Sequence, residues 1–171
     1  MADVRTAFGF PAIVNEKAAR AVAGLVVLVA AAALLTGWLW LTAVLAVGFA
    51  LRVASGPRLD PFGQLATKVI APRLGEPVLV PGPPKRFAQA VGLALTLVAT
   101  GFLVAGTPTV TTALLAVLLV FATLESVFGF CAGCYVFGLL MRTGVIPADT
   151  CAACNDISLR QRQLQRETAA A

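Results

Sequence analysis

Residues 18–54 read AARAVAGLVVLVAAAALLTGWLWLTAVLAVGFALRVA. Two apolar runs, Ala18–Thr36 and Trp38–Ala54, are separated by Gly37 alone. Each approaches the ~20 residues a helix needs to cross the hydrocarbon core of a bilayer. Lys17 and Arg20 at the start of the first run look like the charged start of a secretory signal. A signal would be followed by a small-residue cleavage site and a polar mature segment, whereas Gly37 leads straight into more apolar sequence. The stretch therefore reads as a helical hairpin whose first helix is retained.

The rest of the chain repeats the arrangement. Phe87–Gly106 is a third apolar run, and a fourth begins near Thr109 and stays apolar to about Met141. Of 171 residues, 59% are hydrophobic and 12% charged, with a mean hydropathy of +0.90, outside the range of ordinary soluble domains. The predicted fold class is all-α, a four-transmembrane-helix bundle. Residues 1–17 form an N-terminal arm, 18–54 transmembrane helices 1 and 2, and 55–86 a cytoplasmic or interfacial connection. Residues 87–141 form transmembrane helices 3 and 4, and 142–171 a cysteine-containing tail.

Charge sets the expected orientation. The basic residues occupy three regions: Arg5, Lys17 and Arg20; Arg52, Arg58, Lys68, Arg73, Lys85 and Arg86; and Arg142, Arg160, Arg162 and Arg166. Four crossings place these regions on one face, and the opposite turns at Gly37 and Gly106–Thr109 carry no charge. The positive-inside rule then puts both termini and all four cysteines in the cytoplasm. The net charge of +5 is explained by this topology, and with no recognition motif beside it no nucleic-acid partner is expected. The bilayer is the expected environment, and homo-oligomerisation is left open.

Within the connection, Asp60 suits a helix N-cap, Pro61 the first turn and Pro72 the end. Phe62, Leu65, Val69 and Ile70 would share one face of an amphipathic helix, lying in the interface between helices 2 and 3 or packed on the bundle end. Asn15 suits the cap of the first helix, and Val78–Pro84 reads as a stiff extended linker.

There is no histidine, which removes Ser-His-Asp triads and imidazole-ligated metals. Chemistry falls to two pairs, Cys131/Cys134 and Cys151/Cys154. Tandem C-x2-C pairs at this separation can close four thiolates around zinc or, with less to specify it, an iron–sulfur centre. The same pairs can cycle as dithiol and disulfide. On a continuous helix, Cys131 and Cys134 would share a face near the C-terminal end, where the dipole does not favour a thiolate. Cys151, after Pro147-Ala148-Asp149-Thr150, would open a short helix running towards Arg166, where a thiol pKa falls. Cys151 is then the expected attacking thiol and Cys154 the resolving one, with Cys131 and Cys134 as the partner pair. Glu125 is the sole carboxylate in a predicted span and a candidate for proton transfer, pointing away from Cys134 unless the glycines bend the chain.

Gly129-Phe130-Cys131-Ala132-Gly133-Cys134, Pro84-Lys85-Arg86-Phe87-Ala88-Gln89 and Cys151-Ala152-Ala153-Cys154-Asn155 together resemble a bacterial membrane family, domain of unknown function 4395, in its actinobacterial form. The resemblance runs from about Asn15 to Asp156, and its GFCxGC signature is moderately specific. Genes of that family often neighbour rhodanese-type sulfurtransferases or thioredoxin-like proteins, which implies sulfur or thiol-redox work. The expected function is a membrane thiol-redox or sulfur-relay subunit acting with a soluble thioredoxin-like or sulfurtransferase partner. The alternative is a non-enzymatic scaffold clamped by a four-cysteine zinc. No cofactor other than zinc is specified.

Overall fold

The first helix starts where the cap residue predicts. The Asn15 side chain accepts a hydrogen bond from the Lys17 N–H at 3.0 Å, and helix α1 (Glu16–Thr36) follows. These and all later features come from a computed structural model that describes residues 10–151. Gly37, at φ +73°, closes α1 in a left-handed turn, and α2 (Leu41–Ser55) returns. Asp60 then caps a new helix by accepting the Gly63 N–H at 2.6 Å, with Pro61 in its first turn. This helix, α3 (61–73), comprises Pro61–Leu65, a π-helical turn Ala66–Ile70, and Ala71–Arg73. Helices α4 (Gly82–Val104), α5 (Pro108–Phe128) and α6 (Ala132–Arg142) follow, and a 3-10 turn spans Ala148–Cys151.

The architecture is all-helical apart from one small sheet. Helices α1, α4 and α5 are 21, 23 and 21 residues long, and each is apolar enough to cross a membrane. Helix α2 is an apolar helix of 15 residues, rising ~22 Å at 1.5 Å per residue, less than the full core of a bilayer. Helix α2 packs on α4, α1 on α5 and α4 on α5, and a lighter α1–α2 contact closes the ring. Ala30, Ala33, Leu45 and Leu115 fill the centre. Leu35, Val47, Leu97 and Val120 point outwards and exposed, as expected of helices whose solvent on that side is lipid. Threonine hydroxyls inside the bundle bond back to carbonyls one turn earlier, as Thr96 does to Gly92, or across helices, as Thr111 does to Ala99.

Two features depart from the sequence-based expectation. The extended linker is half of a two-stranded sheet, in which β1 (Ile13–Asn15) runs antiparallel to β2 (Leu79–Pro81), with Val14 opposite Val80. Val80 and Pro81 thus tie the N-terminal arm to the start of α4, reinforced by the Gly82 N–H donating to the Ala12 carbonyl at 2.7 Å. Helix α3 packs on α1 through Ala66 and Ala71, with Gly63 buried against Pro57, leaving Leu65 and Val69 exposed. The π turn rotates the residues after it, Ala71 among them, relative to a uniform 3.6-residue helix, while Gly63 and Leu65 precede it.

One end of the bundle holds the charges. Arg20 donates to the Ser126 and Val127 carbonyls in the last turn of α5, Arg86 to the Val53 carbonyl of α2, and Lys17 to Leu74 at the end of α3. Cations on terminal carbonyls complete bonds that a helix cannot make internally and oppose its negative end.

Close packing of α2 on α4 depends on Gly92, where an added Cβ would stand 2.5 Å from a Phe49 ring carbon, whereas one at Gly101 would meet open space. Gly92→Ala is therefore expected to lower thermal stability by ~1–3 kcal/mol through overpacking. Gly101→Ala should be neutral or stabilising by up to ~1 kcal/mol from helix propensity. Melting curves of the two variants in the same detergent check the contrast.

Candidate functional site

The site is made by a break in the chain between α5 and α6. Gly129 takes φ +71°, its N–H bonding to the Glu125 carbonyl at 3.1 Å and that of Phe130 to Leu124 at 3.2 Å. This left-handed terminator stops α5 while satisfying its last carbonyls. Cys131 follows in an extended conformation as the N-cap of α6, and its Sγ accepts the Cys134 N–H at 3.3 Å. The continuous helix through Cys131 and Cys134 is thus corrected: the pair opens a new helix. At that position the helix dipole and free N–H groups favour a negative sulfur.

Two contacts fix α6 against α4. An added Cβ at Gly133 would lie 2.6 Å from Ala88 Cα, so only glycine lets the first turn approach so closely. One turn later Phe137, buried, packs against Phe87 in a tilted ring pair with centroids 5.7 Å apart.

Beside the pair lies an ion pair. Lys85, from the first turn of α4, meets Glu125, from the last turn of α5, at 2.9 Å, with side chains 10% and 15% exposed. Glu125 is therefore fixed opposite Lys85. Lys85 was not among the residues expected to act. Its signal was a cation in the first turn of a helix, where the dipole disfavours it and a nearby anion is needed. A second buried pair, Arg52–Asp60 at 2.9 Å, adjoins Gln89, whose Oε1 accepts from Arg52 Nε at 2.8 Å.

The two thiols are electrically unlike. Cys131 is held below the ordinary thiol range, first by its hydrogen bond with the Cys134 side chain, then by Lys85 and the Cys134 backbone N–H, while burial and Glu125 oppose. Cys134 is pushed up, first by that same bond to Cys131, then by burial and the negative charge of Cys131. Of the two, Cys131 is the thiol whose ionised form the surroundings favour, and Cys134 the one that holds its proton. Both line an outward groove of about 460 Å³ with Lys85, Phe130 and Tyr135. Cys131 and Glu125, without Cys134, also line a separate apolar cavity inside the bundle.

The second pair is placed only in part. Cys151 is buried and disulfide-bonded, which leaves it no thiol with which to attack in this state. It does not line the cavities that Cys131 lines. Cys154 and the expected helix towards Arg166 lie outside the described residues. Among the described residues no group of three or more potential side-chain ligands is arranged to hold a metal ion.

A family model described as Domain of unknown function (DUF4395) matches residues 14–142. The chain belongs to the DUF4395 family. No curated protein and no solved structure matches it. The DUF4395 match takes in Lys85, Glu125, Cys131 and Cys134 and ends before Cys151, short of the Asp156 boundary the resemblance suggested. The part of the chain that carries the family thus also carries the complete ion pair and the N-capping cysteine.

The asymmetry has a direct readout. In reduced protein, iodoacetamide should modify Cys131 well before Cys134 at pH 7. The pH profile for Cys131 should have its midpoint on the acid side of the usual ~8.5, because its thiolate is the favoured form. Peptide mass spectrometry of timed samples from pH 5 to 9 checks both the order and the midpoint.

Proposed function

We propose that this protein is a membrane thiol-redox subunit in which Cys131 and Cys134 exchange a disulfide with a soluble thioredoxin-like or sulfurtransferase partner. The observation that carries the reading is Cys131 as N-cap of α6, accepting the Cys134 N–H at 3.3 Å. A thiolate there has two assets: fixed N–H donors that stabilise it, and a second thiol one turn away to resolve its products.

The exchange proceeds in two substitutions. The Cys131 thiolate attacks one sulfur of a partner disulfide, forming a mixed disulfide and releasing one partner thiolate. Cys134 gives up its proton and attacks Cys131 Sγ, which forms the Cys131–Cys134 disulfide and releases the second partner thiol. Two electrons have moved to the partner. The reverse sequence reduces the pair. Lys85, paired with Glu125 at 2.9 Å, favours the thiolate electrostatically, and the charge of Glu125 opposes it. Phe130 and Tyr135, tilted against each other with centroids 6.3 Å apart in the groove lining, offer apolar surface to the chain that presents the partner cysteine.

Topologically, α2 is assigned as a fourth, short span beside α1, α4 and α5, with the basic end of the bundle in the cytoplasm of a bacterial inner membrane. The uncharged turns at Gly37 and Gly106 and the helix-capping Arg20 and Arg86 at the other end support that orientation.

Titration of purified protein in glutathione redox buffers should show a disulfide joining Cys131 to Cys134 that forms and opens reversibly and is absent in Cys131→Ser. Lys85→Met should slow alkylation of Cys131 at pH 7, and Glu125→Gln should hasten it, because one variant removes a charge that lowers the thiol pKa and the other a charge that raises it. Equal effects of the two substitutions would sink the electrostatic assignment. For orientation, a cysteine introduced at Gly75 should react with a membrane-impermeant maleimide only in opened cells, and one at Thr107 in intact spheroplasts. The reverse pattern would overturn the topology.

A further inference from the structure

The interior cavity beside Cys131 is not used by exchange with a soluble partner. It measures about 270 Å³ and lies between α1, α2, α4, α5 and the start of α6. Phe49, Phe87, Leu95 and Leu118 form its apolar walls, and Cys131 and Glu125 lie at one end. Gln89 supplies a further polar group. Arg52 Nε can only donate, so its bond to Gln89 Oε1 leaves Nε2 as the amide's donor, on a residue that lines both this cavity and the neighbouring one beside Arg52. Val91, Phe121 and Val136 line the cavity while 49%, 48% and 44% exposed, so it opens sideways through the apolar surface of the bundle. A ligand reaching it by that route is lipid-soluble. The volume is near the lower limit of the roughly 300–1,000 Å³ typical of small-molecule sites, enough for one substituted ring with a tail left outside.

We propose that this cavity binds the ring of a lipid-soluble quinone, which accepts the two electrons of the Cys131/Cys134 dithiol. The assignment rests on the thiol-redox reading above and names the second substrate of the same pair. A quinone fits each wall: a flat ring for the aromatic side chains, a carbonyl oxygen for Gln89 Nε2, and an electrophilic ring carbon for Cys131. The Cys131 thiolate adds to the ring. Cys134 then attacks Cys131 Sγ, forming the S–S bond and breaking the S–C bond, whose electron pair leaves with the ring as hydroquinone. The two ring oxygens take two protons, one from the Cys134 thiol and one from solvent in the groove at Lys85. Cys131 lies in the wall between groove and cavity, so one sulfur serves a soluble partner on one side and a membrane carrier on the other.

The test uses full-length protein in lipid nanodiscs, reduced, freed of reductant and kept anaerobic, with a decyl-tailed benzoquinone as probe. Quinone absorbance and the Cys131–Cys134 disulfide by mass spectrometry are followed together, and oxidised glutathione serves as a soluble oxidant in parallel. One hydroquinone should appear per disulfide. Ala122→Phe, which fills the cavity, and Gln89→Glu, which keeps an acceptor for Arg52 but removes the donor, should each slow quinone oxidation by about tenfold. Both variants should leave glutathione oxidation unchanged, which also reports that they are folded. Oxidation by glutathione but not by quinone, or quinone rates untouched by both variants, would overturn the quinone site and leave the thiol-redox reading standing. Failure of both oxidants to form the disulfide would remove the thiol-redox reading itself.

Discussion

The left-handed residue at Gly129 is the constraint on which the site depends. Had α5 continued, Cys131 would sit inside a helix, its N–H bonded and its sulfur near the negative end of a dipole. With φ +71° at Gly129, the chain reverses that environment within two residues and presents Cys131 to the positive end of α6. The turn is held from outside as well. A Cβ at Gly129 would come within 3.3 Å of Glu16 Oε1 and 3.7 Å of Arg20 Nη1, so the first turn of α1 closes over the break. Arg20 meanwhile bonds the Ser126 and Val127 carbonyls just before it. The small sheet of Ile13–Asn15 with Leu79–Pro81 connects the same region to α4, so the starts of α1 and α4 converge on the turn that creates the site.

Electrostatics at this end follows from how the helices are arranged rather than from charge count. Helices α2 and α5 end here, and their terminal carbonyls take Arg86 and Arg20. Helix α4 begins here, and a cation in its first turn is placed against the dipole, so Lys85 depends on Glu125. Breaking a buried pair leaves the remaining charge uncompensated at ~3–5 kcal/mol, whereas keeping both partners contributes little net stability. Lys85 and Glu125 are therefore poor stabilisers but good determinants of local potential, and that potential acts on Cys131. Arg52 and Asp60 form a similar buried arrangement one helix away, and it fixes the orientation of Gln89.

Much of this was legible in the sequence for a simple reason. Apolar runs near span length, the Asn15 and Asp60 caps and the glycine turn after Thr36 are local signals, and each appears where its residues demand. Four features were not legible, and three of them depend on contacts between distant segments. The pairing of Ile13–Asn15 with Leu79–Pro81 joins two short stretches with no alternation long enough to mark a strand. The π turn at Ala66–Ile70 changes the register of the residues after it, and Ala71 lies buried with Gly63 and Ala66. Gly129 was visible as a residue that loosens a helix, but its role as a terminator depends on Glu16 and Arg20, more than a hundred positions away. Lys85 was counted among topogenic charges because nothing local indicates that α4 and α5 bring it to Glu125.

In the proposed reading, a dithiol needs no proton relay through the bilayer, because its sulfur stands where the spans end. Cys131 lies three residues past the end of α5, at the boundary between the outward groove and the apolar interior. Gly133 against Ala88 and Phe137 against Phe87 pin α6 to α4, so the sulfur keeps that position. Loosening α6 would cost the groove and the cavity together, since both use its first turn as a wall. The thiol chemistry and the packing of α6 on α4 are therefore a single structural requirement, met by a glycine that ends one helix and a glycine that lets the next lie flat.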